Sequence, residues 1–398
     1  MRCKITKKRI KPFMSFGKMP IANGFIKKEN FKKEFFFKME VGFSKDLSLF
    51  QLNDHPKPTK MFNENYPFFT SSSKYMVKHF KDYSKWVKKN YGKNLSTIIE
   101  IGSNDGSFLK NFKSKKTKIL GIEPSKNVAD LANKYQINTI NKFFNFKTAK
   151  SLKSFKNKTD LICAANAICH IPDLVNLIKG IDILLSPKGV FIFEEPYLGS
   201  MYEKTSYDQI YDEHIFMFSV TSVMKIFNIF GFDLINVLPQ KTHGGSMRYV
   251  ICRKNSYKIN NSVKLLLREE KKKNIHSIKG CLIFKKNCEN SKNKLKKKIN
   301  QILKKGHTIA GYGATSKSTT ILNYCGINNK HIDFICDTTP NKIGKFSPGT
   351  HIPIVNMKHY YNNIPDCTFL FAWNHKNEIF KKEKKIFKKT KWFAHVKI

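Results

Sequence analysis

The sequence lacks any apolar run of about 18 residues, the length at which a helix becomes a candidate for crossing a membrane. We therefore expect no membrane span. Its first residues, MRCKITKKRI, lack the apolar core of a signal peptide, so we predict a cytoplasmic protein. No two of the nine cysteines have Cys-x-x-Cys spacing, and several lie within apolar runs (Cys163, Cys252 and Cys336). This pattern is typical of reduced, buried thiols.

Acidic residues are also scarce, because 29 Asp and Glu stand against 73 Lys and Arg, a formal net charge of +44. Such a charge often indicates nucleic-acid binding, so a nucleic-acid-binding scaffold is one alternative function. Arginine, whose bidentate fork suits phosphate recognition, is nearly absent. The chain contains Arg2, Arg9, Arg248, Arg253 and Arg268, and all other basic residues are lysines spread along the sequence. We interpret the charge as compositional drift and expect no nucleic-acid partner.

The most informative stretch is an apolar run at 98–101 that leads into a glycine turn, Gly102 to Gly106. A second apolar run at 118–122 ends in Glu123. A strand that breaks into a glycine turn presents a ligand at the carboxyl edge of a parallel sheet, where an acidic residue can accept ribose hydroxyls. The glycine spacing matches neither G-x-G-x-x-G nor a P-loop. We therefore predict an S-adenosylmethionine site, and a purely structural turn is the alternative.

Residues 1–60 show little periodicity apart from two apolar runs, at 35–41 and 47–52, that predict strands. An aromatic and hydroxyl-rich segment follows, which includes Tyr66 and Ser72, and it precedes a helix predicted at 75–87. Hydroxyls in this position either cap the helix or contact a cofactor or substrate.

From residue 95 onward, strand and helix patterns alternate in five βα units that are followed by a pair of apolar runs. This order predicts an α/β fold with the doubly wound sheet of a class I methyltransferase. A long charged helical segment then precedes a second α/β unit. We predict a β-rich N-terminal module (1–60), a methyltransferase core (61–255), a helical connector (256–305) and a Rossmann-like C-terminal domain (306–398).

Seven motifs occur in a fixed order along nearly the whole chain. They are EIGSNDGSFL (100–109), GIEPS (121–125), EEPYL (194–198), YDEH (211–214), HGGSMR (243–248), GYGATSKSTTILNY (311–324) and FSPGTHIPI (346–354). With these motifs the chain resembles the S-adenosylmethionine-dependent C-methyltransferases that act on nucleotide-linked 4-keto deoxysugars. The resemblance implies the same activity, with a nucleotide sugar as the substrate.

The resemblance also implies which residues bind the two ligands. For the cofactor they are Glu100, Gly102, Asn104, Gly106, Glu123 (on the ribose hydroxyls) and Asn166 (at the methionine end). For the substrate we assign Tyr66, Ser72, His243, Gly244 and Tyr312. The two glycines after His243 are equally typical of a plain hairpin turn.

Methylation of a carbon requires a carbanion, which an adjacent ketone stabilises as an enolate. His214 matches the base proposed in the family, and the ordinary pKa of histidine suits that role. We expect Tyr211 to hydrogen-bond the ketone or enolate oxygen, and Glu213 to orient or charge-stabilise the imidazole. We predict that His170 is structural. A methyltransferase with an oxygen or nitrogen acceptor is the other alternative, because it would need no enolate.

The N-terminal module departs from the resembled family, which normally binds zinc there through two Cys-x-x-Cys pairs. Cys3 is present, but Thr6 stands at its partner position and residues 41–46 contain no cysteine. One thiolate does not hold a tetrahedral zinc ion, so we expect no metal. The turn from Gly311 to Ser316 lacks the last glycine of a dinucleotide fingerprint, and we expect no NAD there.

Overall fold

The computed structural model describes residues 1–64, 66–92 and 95–398. Its strands are β1 (Pro12–Pro20), β2 (Phe36–Ser44), β3 (Leu49–Leu52), β4 (Thr97–Ile101), β5 (Lys118–Ile122), β6 (Thr139–Ile140), β7 (Thr159–Ala165), β8 (Leu185–Pro196), β9 (Phe216–Met217), β10 (Phe232–Gln240), β11 (Ser246–Arg253), β12 (Ile309–Tyr312), β13 (Ile335–Cys336), β14 (Ile354–Val355), β15 (Cys367–Leu370) and β16 (Lys391–Phe393).

The helices alternate with these strands through most of the chain. They are α1 (Pro58–Met61), α2 (Lys74–Tyr91), α3 (Lys126–Lys134), α4 (Phe146–Ser151), α5 (Leu174–Leu184), α6 (Leu198–Lys204), α7 (Val220–Ile229), α8 (Asn261–Lys272), α9 (Ile278–Lys304), α10 (Ser316–Cys325), α11 (Met357–Asn362) and α12 (Lys376–Lys382). Within the described ranges, no helix combines the length and the apolar character that a bilayer span requires.

The first sheet is antiparallel and has the strand order β1-β2-β3-β9. Strands β2 and β3 lie at the two apolar runs of the N-terminal segment, as predicted. The sequence pattern does not predict β1, because two register shifts interrupt its alternation of buried and exposed side chains. The last strand, β9, comes from the middle of the chain, so the N-terminal segment is completed by residues beyond the predicted boundary at residue 60.

The central sheet has the order β10-β11-β8-β7-β4-β5-β6. Strands β4 to β8 are parallel, whereas β11 and β10 run antiparallel at one edge. This arrangement confirms the predicted doubly wound α/β sheet with a terminal strand pair. The chain reverses its direction of winding between β4 and β7, whose carboxyl ends therefore open a crevice of the kind in which α/β proteins bind ligands.

The third sheet is parallel throughout, with the order β14-β13-β12-β15-β16 and a second reversal between β12 and β15. This confirms a second Rossmann-like unit. The predicted connector consists of α8 and α9. Buried residues of α9, such as Phe284 and Leu295, share one hydrophobic cluster with Phe16 of β1 and Phe369 of β15. Helix α9 is thus packed between the first and third sheets, whereas Val263 of α8 belongs to the hydrophobic cluster of the central sheet.

Candidate active site

A cavity of about 1150 Å³ is lined by residues from all three sheet-forming parts of the chain. The N-terminal segment contributes Asn23, the crevice of the central sheet contributes Glu100 and Asn166, and the edge of the third sheet contributes Tyr312. Cavities of this size hold small molecules and cofactors. Because the crevice of the central sheet and the edge of the third sheet meet here, one cavity is large enough to receive a cofactor and a second ligand together.

The structure brings together on this cavity most of the site residues expected from the sequence. They are Tyr66, Ser72, Glu100, Gly102, Asn104, Glu123, Asn166, Tyr211, Glu213, His214, His243 and Tyr312. Gly106 and Gly244 do not line it. A side chain at Gly106 would meet Ile137, and one at Gly244 would overlap the Trp373 ring, so both glycines allow close packing instead of ligand approach.

The turn after β4 forms the floor of the cavity at the crevice. Gly102 and Asn104 both adopt positive φ, and the backbone N–H of Gly102 donates to the carbonyl of Ile122 at the end of β5 (2.8 Å). Glu123 accepts hydrogen bonds from the backbone N–H groups of Asn104 (2.9 Å) and Ser125 (2.8 Å). These bonds fix the Glu123 carboxylate at the carboxyl end of β5, where the sequence analysis expects a ribose partner.

The polar groups of this floor are incompletely paired within the chain. Glu100 Oε2 and Asn166 Oδ1 are buried without a hydrogen-bond partner. Burial, reinforced by the neighbouring charge of Asp105, raises the pKa of Glu100 well above its usual value, and burial also raises the pKa of Glu123. A ligand that brings a positive charge and hydroxyl or ammonium donors would satisfy these acceptors. S-Adenosylmethionine has these groups, so the residues fit that cofactor.

A segment before α2 covers the floor from above. The backbone N–H of Thr70 donates to Asn104 Oδ1 (3.0 Å), and that of Ser71 donates to Asp105 Oδ2 (2.7 Å). The Ser72 hydroxyl donates to the Phe69 carbonyl (2.6 Å), and Ser73 caps α2 by accepting from the Met76 N–H (3.3 Å). The glycine turn therefore also anchors the segment that covers it.

The three site residues around His214 lie on a loop that begins with a short 3-10 turn at Tyr207–Gln209. His214 Nδ1 lies 2.7 Å from the Gln209 carbonyl oxygen, and Nε2 lies 2.7 Å from the Tyr211 hydroxyl. A carbonyl can only accept, so Nδ1 carries the proton and Nε2 is left as the acceptor. Burial lowers the pKa of His214 well below its usual value, which keeps the ring neutral. This is the state that a general base requires.

The position of Glu213 corrects one expectation. Its Oε1 accepts a hydrogen bond from Asn23 Nδ2 (2.8 Å), and the imidazole of His214 is oriented by the Gln209 carbonyl instead. Sequence reasoning misses Gln209 because a backbone carbonyl leaves no residue-type signal.

Two further histidines of the cavity also stay neutral. His170 stacks on His214 with 5.4 Å between ring centroids, and its Nε2 is buried without a partner. Burial lowers the pKa of His170 to about 4 and, together with the charge of Lys317, that of His243 to about 3. His243 Nε2 is also unpartnered, and its backbone is left-handed (φ 52°). The structure therefore places His170, predicted to be structural, beside the candidate base.

Lys317, on α10, is a cavity residue that the sequence reasoning leaves unassigned. Its Nζ donates to Asn374 Oδ1 (3.2 Å) and to the carbonyl of His243 (3.4 Å), and it lies over the ring of Trp373. Burial lowers the pKa of Lys317 to about 8. Both hydrogen-bond acceptors of Lys317 are neutral, and the charge of Asp208 also acts on the ammonium and raises its pKa. The ammonium is the positive group on this wall of the cavity that an anionic ligand group would approach.

One group in the described part of the chain has the composition of a metal site. It comprises Cys169, His170 and His214, whose ligand atoms lie within 4.8 Å of one another. Both nitrogens of His214 are already engaged in hydrogen bonds, and burial next to Glu195 raises the pKa of the Cys169 thiol. Metal binding needs a thiolate and a free imidazole nitrogen, so this group is poorly suited to it.

Three family models match successive parts of the chain. The model described as "Putative zinc binding domain" matches residues 3–62, the "Methyltransferase domain" model matches residues 75–237, and the "C-methyltransferase C-terminal domain" model matches residues 241–396. The second match covers the crevice and the His214 loop, and the third covers the Rossmann-like sheet. All three parts that line the cavity thus have a counterpart among known domains.

Individual proteins also resemble the chain. The chain is 28% identical to C-methyltransferase NovU of Streptomyces niveus over 374 residues, which cover 93% of this chain and 89% of that protein. Two solved structures resemble it more distantly. The PH0226 protein from Pyrococcus horikoshii OT3 has 15% identity and a TM-score of 0.37, and covers 47% of this chain and 95% of its own. Magnesium protoporphyrin IX methyltransferase (ChlM) from Synechocystis PCC 6803 has 12% identity and a TM-score of 0.36, with 45% and 83% covered.

The match to a zinc-binding domain disputes the expectation of a metal-free N-terminal module, so the residues themselves decide how well zinc fits. Cys3 is the one cysteine before residue 163. Its sulfur accepts from the Thr6 N–H (3.5 Å), and hydrogen bonds from Thr6 and Ser44 lower the pKa of the thiol. A structural zinc site needs four ligands, typically thiolates or imidazoles. Hydrogen bonds occupy the surroundings of Cys3 instead, and zinc does not fit.

Proposed function

We propose that this chain, which the three family models match in succession, methylates the carbon next to the ketone of a nucleotide-linked 4-keto deoxysugar. The matches to the two methyltransferase models and to a C-methyltransferase over 93% of the chain support S-adenosylmethionine-dependent methyl transfer. One observation carries the finer proposal: a neutral, oriented imidazole, His214, faces the cavity that also contains the predicted cofactor residues. A carbon acceptor needs such a base, whereas an oxygen or nitrogen acceptor does not require enolate formation.

In the proposed reaction His214 Nε2 removes the proton from the carbon beside the ketone. The Gln209 carbonyl accepts a hydrogen bond from Nδ1 (2.7 Å) and so fixes the tautomer in which Nε2 is unprotonated and can accept a proton. Tyr211, whose hydroxyl is 2.7 Å from Nε2, can turn its donor to the ketone oxygen when the substrate enters. Burial raises the pKa of Tyr211 well above its usual value, so the hydroxyl keeps its proton and can donate to the enolate.

The remaining residues supply alignment. Glu123 would accept the ribose hydroxyls of the cofactor, and Glu100 and Asn166 would hold its other polar groups. When bound, the cofactor provides an electrophilic methyl group. The chain then has to hold the acceptor carbon at the meeting point of the two sheets and keep water out, which converts a bimolecular encounter into an oriented one. Tyr66, Ser72, His243 and Tyr312 line the same cavity and would contact the substrate.

The first experiment is calorimetry with S-adenosylhomocysteine, which separates the cofactor from the acceptor. We expect binding to the unaltered chain and about 100-fold weaker binding to Glu123→Ala, because charge-assisted bonds to both ribose hydroxyls are lost. Sugar nucleotides with and without the 4-keto group are then incubated with the chain and S-adenosylmethionine. Mass spectrometry should detect an added methyl group on the keto sugar alone.

A second readout tests the carbanion directly. In deuterated water the chain should catalyse deuterium incorporation next to the ketone, and His214→Asn should abolish it while S-adenosylhomocysteine still binds. Methyl transfer that survives in His214→Asn would instead support an oxygen or nitrogen acceptor. Absence of cofactor binding, with tight and salt-dependent binding to DNA or RNA, would favour the nucleic-acid-binding scaffold.

A further inference from the structure

The N-terminal segment lines the cavity with Pro58, Thr59 and Asn23, and Asn23 lies in a short loop, residues 21–26, that follows β1. We propose that Asn23 in this loop is a positioning residue that holds Glu213, so that the N-terminal module forms part of the active site. The inference rests on the proposed function, because it assigns Asn23 a role in the same reaction. It gives this module a task that requires no bound metal.

The contacts between the two loops are polar and direct. Asn23 Nδ2 donates to Glu213 Oε1 (2.8 Å), and the backbone N–H of Ala22 donates to Asp212 Oδ1 (3.1 Å). Asn23 and Glu213 also line the cavity. Two consecutive residues of one loop thus bind two consecutive carboxylates of the other, immediately beside His214. This paired arrangement fixes the direction of both side chains.

The loop at 21–26 is itself held from its far side by the C-terminal domain. The hydroxyl of Thr319 on α10 donates to the Ala22 carbonyl (2.8 Å). Ile26 and Phe346 exchange backbone hydrogen bonds (3.2 and 2.8 Å), and the ammonium of Lys342 lies 4.9 Å above the ring of Phe25. Asn23 therefore projects from a loop that is anchored to the C-terminal domain, and the same helix, α10, also binds the His214 loop through Thr320.

Glu213 needs such a partner because its surroundings disfavour a charged carboxylate. Burial raises the pKa of Glu213, and burial with the adjacent charge raises that of Asp212 to about 8. Tyr66, Tyr211 and Cys169 interact with Glu213 as Asp212 does, and none of these groups is a cation at neutral pH. The donor on Asn23 lowers the pKa of Glu213 and so favours the charged form beside the base.

Substitution of Asn23 tests this role, with Asn30→Ala as the matched control because Asn30 is an exposed amide of the same module. For Asn23→Ala we expect kcat to fall about 10-fold with the KM for S-adenosylmethionine unchanged. The acid limb of the kcat profile should move to higher pH, because Glu213 loses a bond to its charged form. The kcat of Asn23→Asp should fall further than that of Asn23→Ala, since the substitution places a third carboxyl group beside Asp212 and Glu213.

Hydrogen exchange gives a readout that does not depend on turnover. In the unaltered chain the His214 amide is bonded to the Tyr211 carbonyl and the Ile215 amide to the Cys169 carbonyl. Peptides covering this loop should exchange faster in Asn23→Ala and at the normal rate in Asn30→Ala. If both variants match the unaltered chain in exchange and in pH profile, the inference is wrong. If exchange changes but no keto sugar is methylated, the proposed function fails and the positioning role stands.

Discussion

The two ends of the cavity are built in different ways. At the cofactor end, Glu100 lies within β4, whereas Asn104 and Glu123 come just after the adjacent parallel strands β4 and β5. Glu123 is bound by backbone N–H groups 19 and 2 residues away. At the catalytic end, the loop around His214 is held by partners from distant parts of the chain. Asn23 and Glu213 are 190 residues apart, and Thr320 binds the Ile210 carbonyl across 110 residues.

This difference indicates that the two ends respond differently to change. The cofactor end depends on one sheet and should survive damage to the other domains. The catalytic end has irregular backbone whose shape depends on contacts with the N-terminal loop and α10, so it should be sensitive to them. The following predictions test this contrast.

The largest effect is expected from His214→Asn, which removes the base without disturbing the central sheet. Turnover of a keto sugar nucleotide should fall about 1,000-fold or more, the upper part of the range for general-base catalysis. Affinity for S-adenosylhomocysteine should stay within about twofold, since no bond at Glu123 is altered. Steady-state kinetics and calorimetry on one preparation measure both. If His214→Asn lowered the affinity for S-adenosylhomocysteine as much as it lowered turnover, the contrast between the two ends would be wrong.

The pH dependence of stability should also differ between the ends. The pKa of His170 is about 4 in the folded chain against an ordinary value of 6.5. The neutral ring therefore costs the folded chain no stability above pH 6.5, and the free energy of unfolding decreases as the pH falls from 6.5 toward 4. The full loss corresponds to about 3 kcal/mol. Urea unfolding at several pH values should therefore show weaker acid destabilisation in His170→Gln.

The raised pKa of Glu100 affects the pH dependence of stability in the opposite direction. It favours the folded chain below the ordinary carboxyl range, and this stability is lost as the pH rises through the folded pKa. Glu100→Gln is thus the control from the cofactor end, and it should relieve destabilisation on the alkaline side. Identical pH profiles for the two variants would show that the burial of these groups does not govern stability.

Glu123→Ala should affect the two ends in the opposite way to His214→Asn. Binding of S-adenosylhomocysteine should weaken about 100-fold, while hydrogen exchange of the His214 loop stays unchanged because no contact of that loop involves Glu123. Glu123→Gln keeps one acceptor oxygen and should lose less affinity. A faster-exchanging His214 loop in either variant would mean that the two ends are coupled.

Much of this site follows from the sequence, but not evenly. The strands β4, β5 and β7, with Glu100 and Glu123, follow from local hydrophobic patterns and glycine turns, because parallel strands bring their carboxyl ends to one edge. The resemblance of the motifs to a known family predicts the roles of His214 and Tyr211. The pattern gives no sign of Gln209, Lys317 or the stacking of His170 on His214, because a carbonyl or a ring contact across the fold depends on tertiary packing. The sequence pattern does not predict the bulged strand β1 either, because its alternation of buried and exposed side chains is interrupted.

A smaller effect is expected from Thr320→Val, which removes one hydroxyl from α10 at nearly constant volume. The bond from Thr320 to the Ile210 carbonyl (3.1 Å) is lost, leaving that buried carbonyl without this donor. We expect kcat to fall about 5-fold with cofactor affinity unchanged. Thr308→Val is the control from the same domain, because Thr308 pairs with Asp366 at an exposed edge. Equal activity of the two variants would show that α10 does not support the catalytic loop.

The smallest effect on stability and on loop exchange is expected from metal removal. This experiment tests what stabilises the N-terminal segment, which supports the catalytic end. Its match to a zinc-binding family allows zinc as a stabiliser, whereas Cys3 is surrounded by hydrogen bonds and lacks further thiolate ligands. If side-chain packing holds this segment, a strong chelator should leave both the unfolding temperature and the exchange rate of the His214 loop unchanged. One zinc ion per purified chain, with faster loop exchange after its removal, would mean that the catalytic end depends on a metal. Because the cofactor end receives no contact from this segment in the bonds described above, S-adenosylhomocysteine binding should persist in either case.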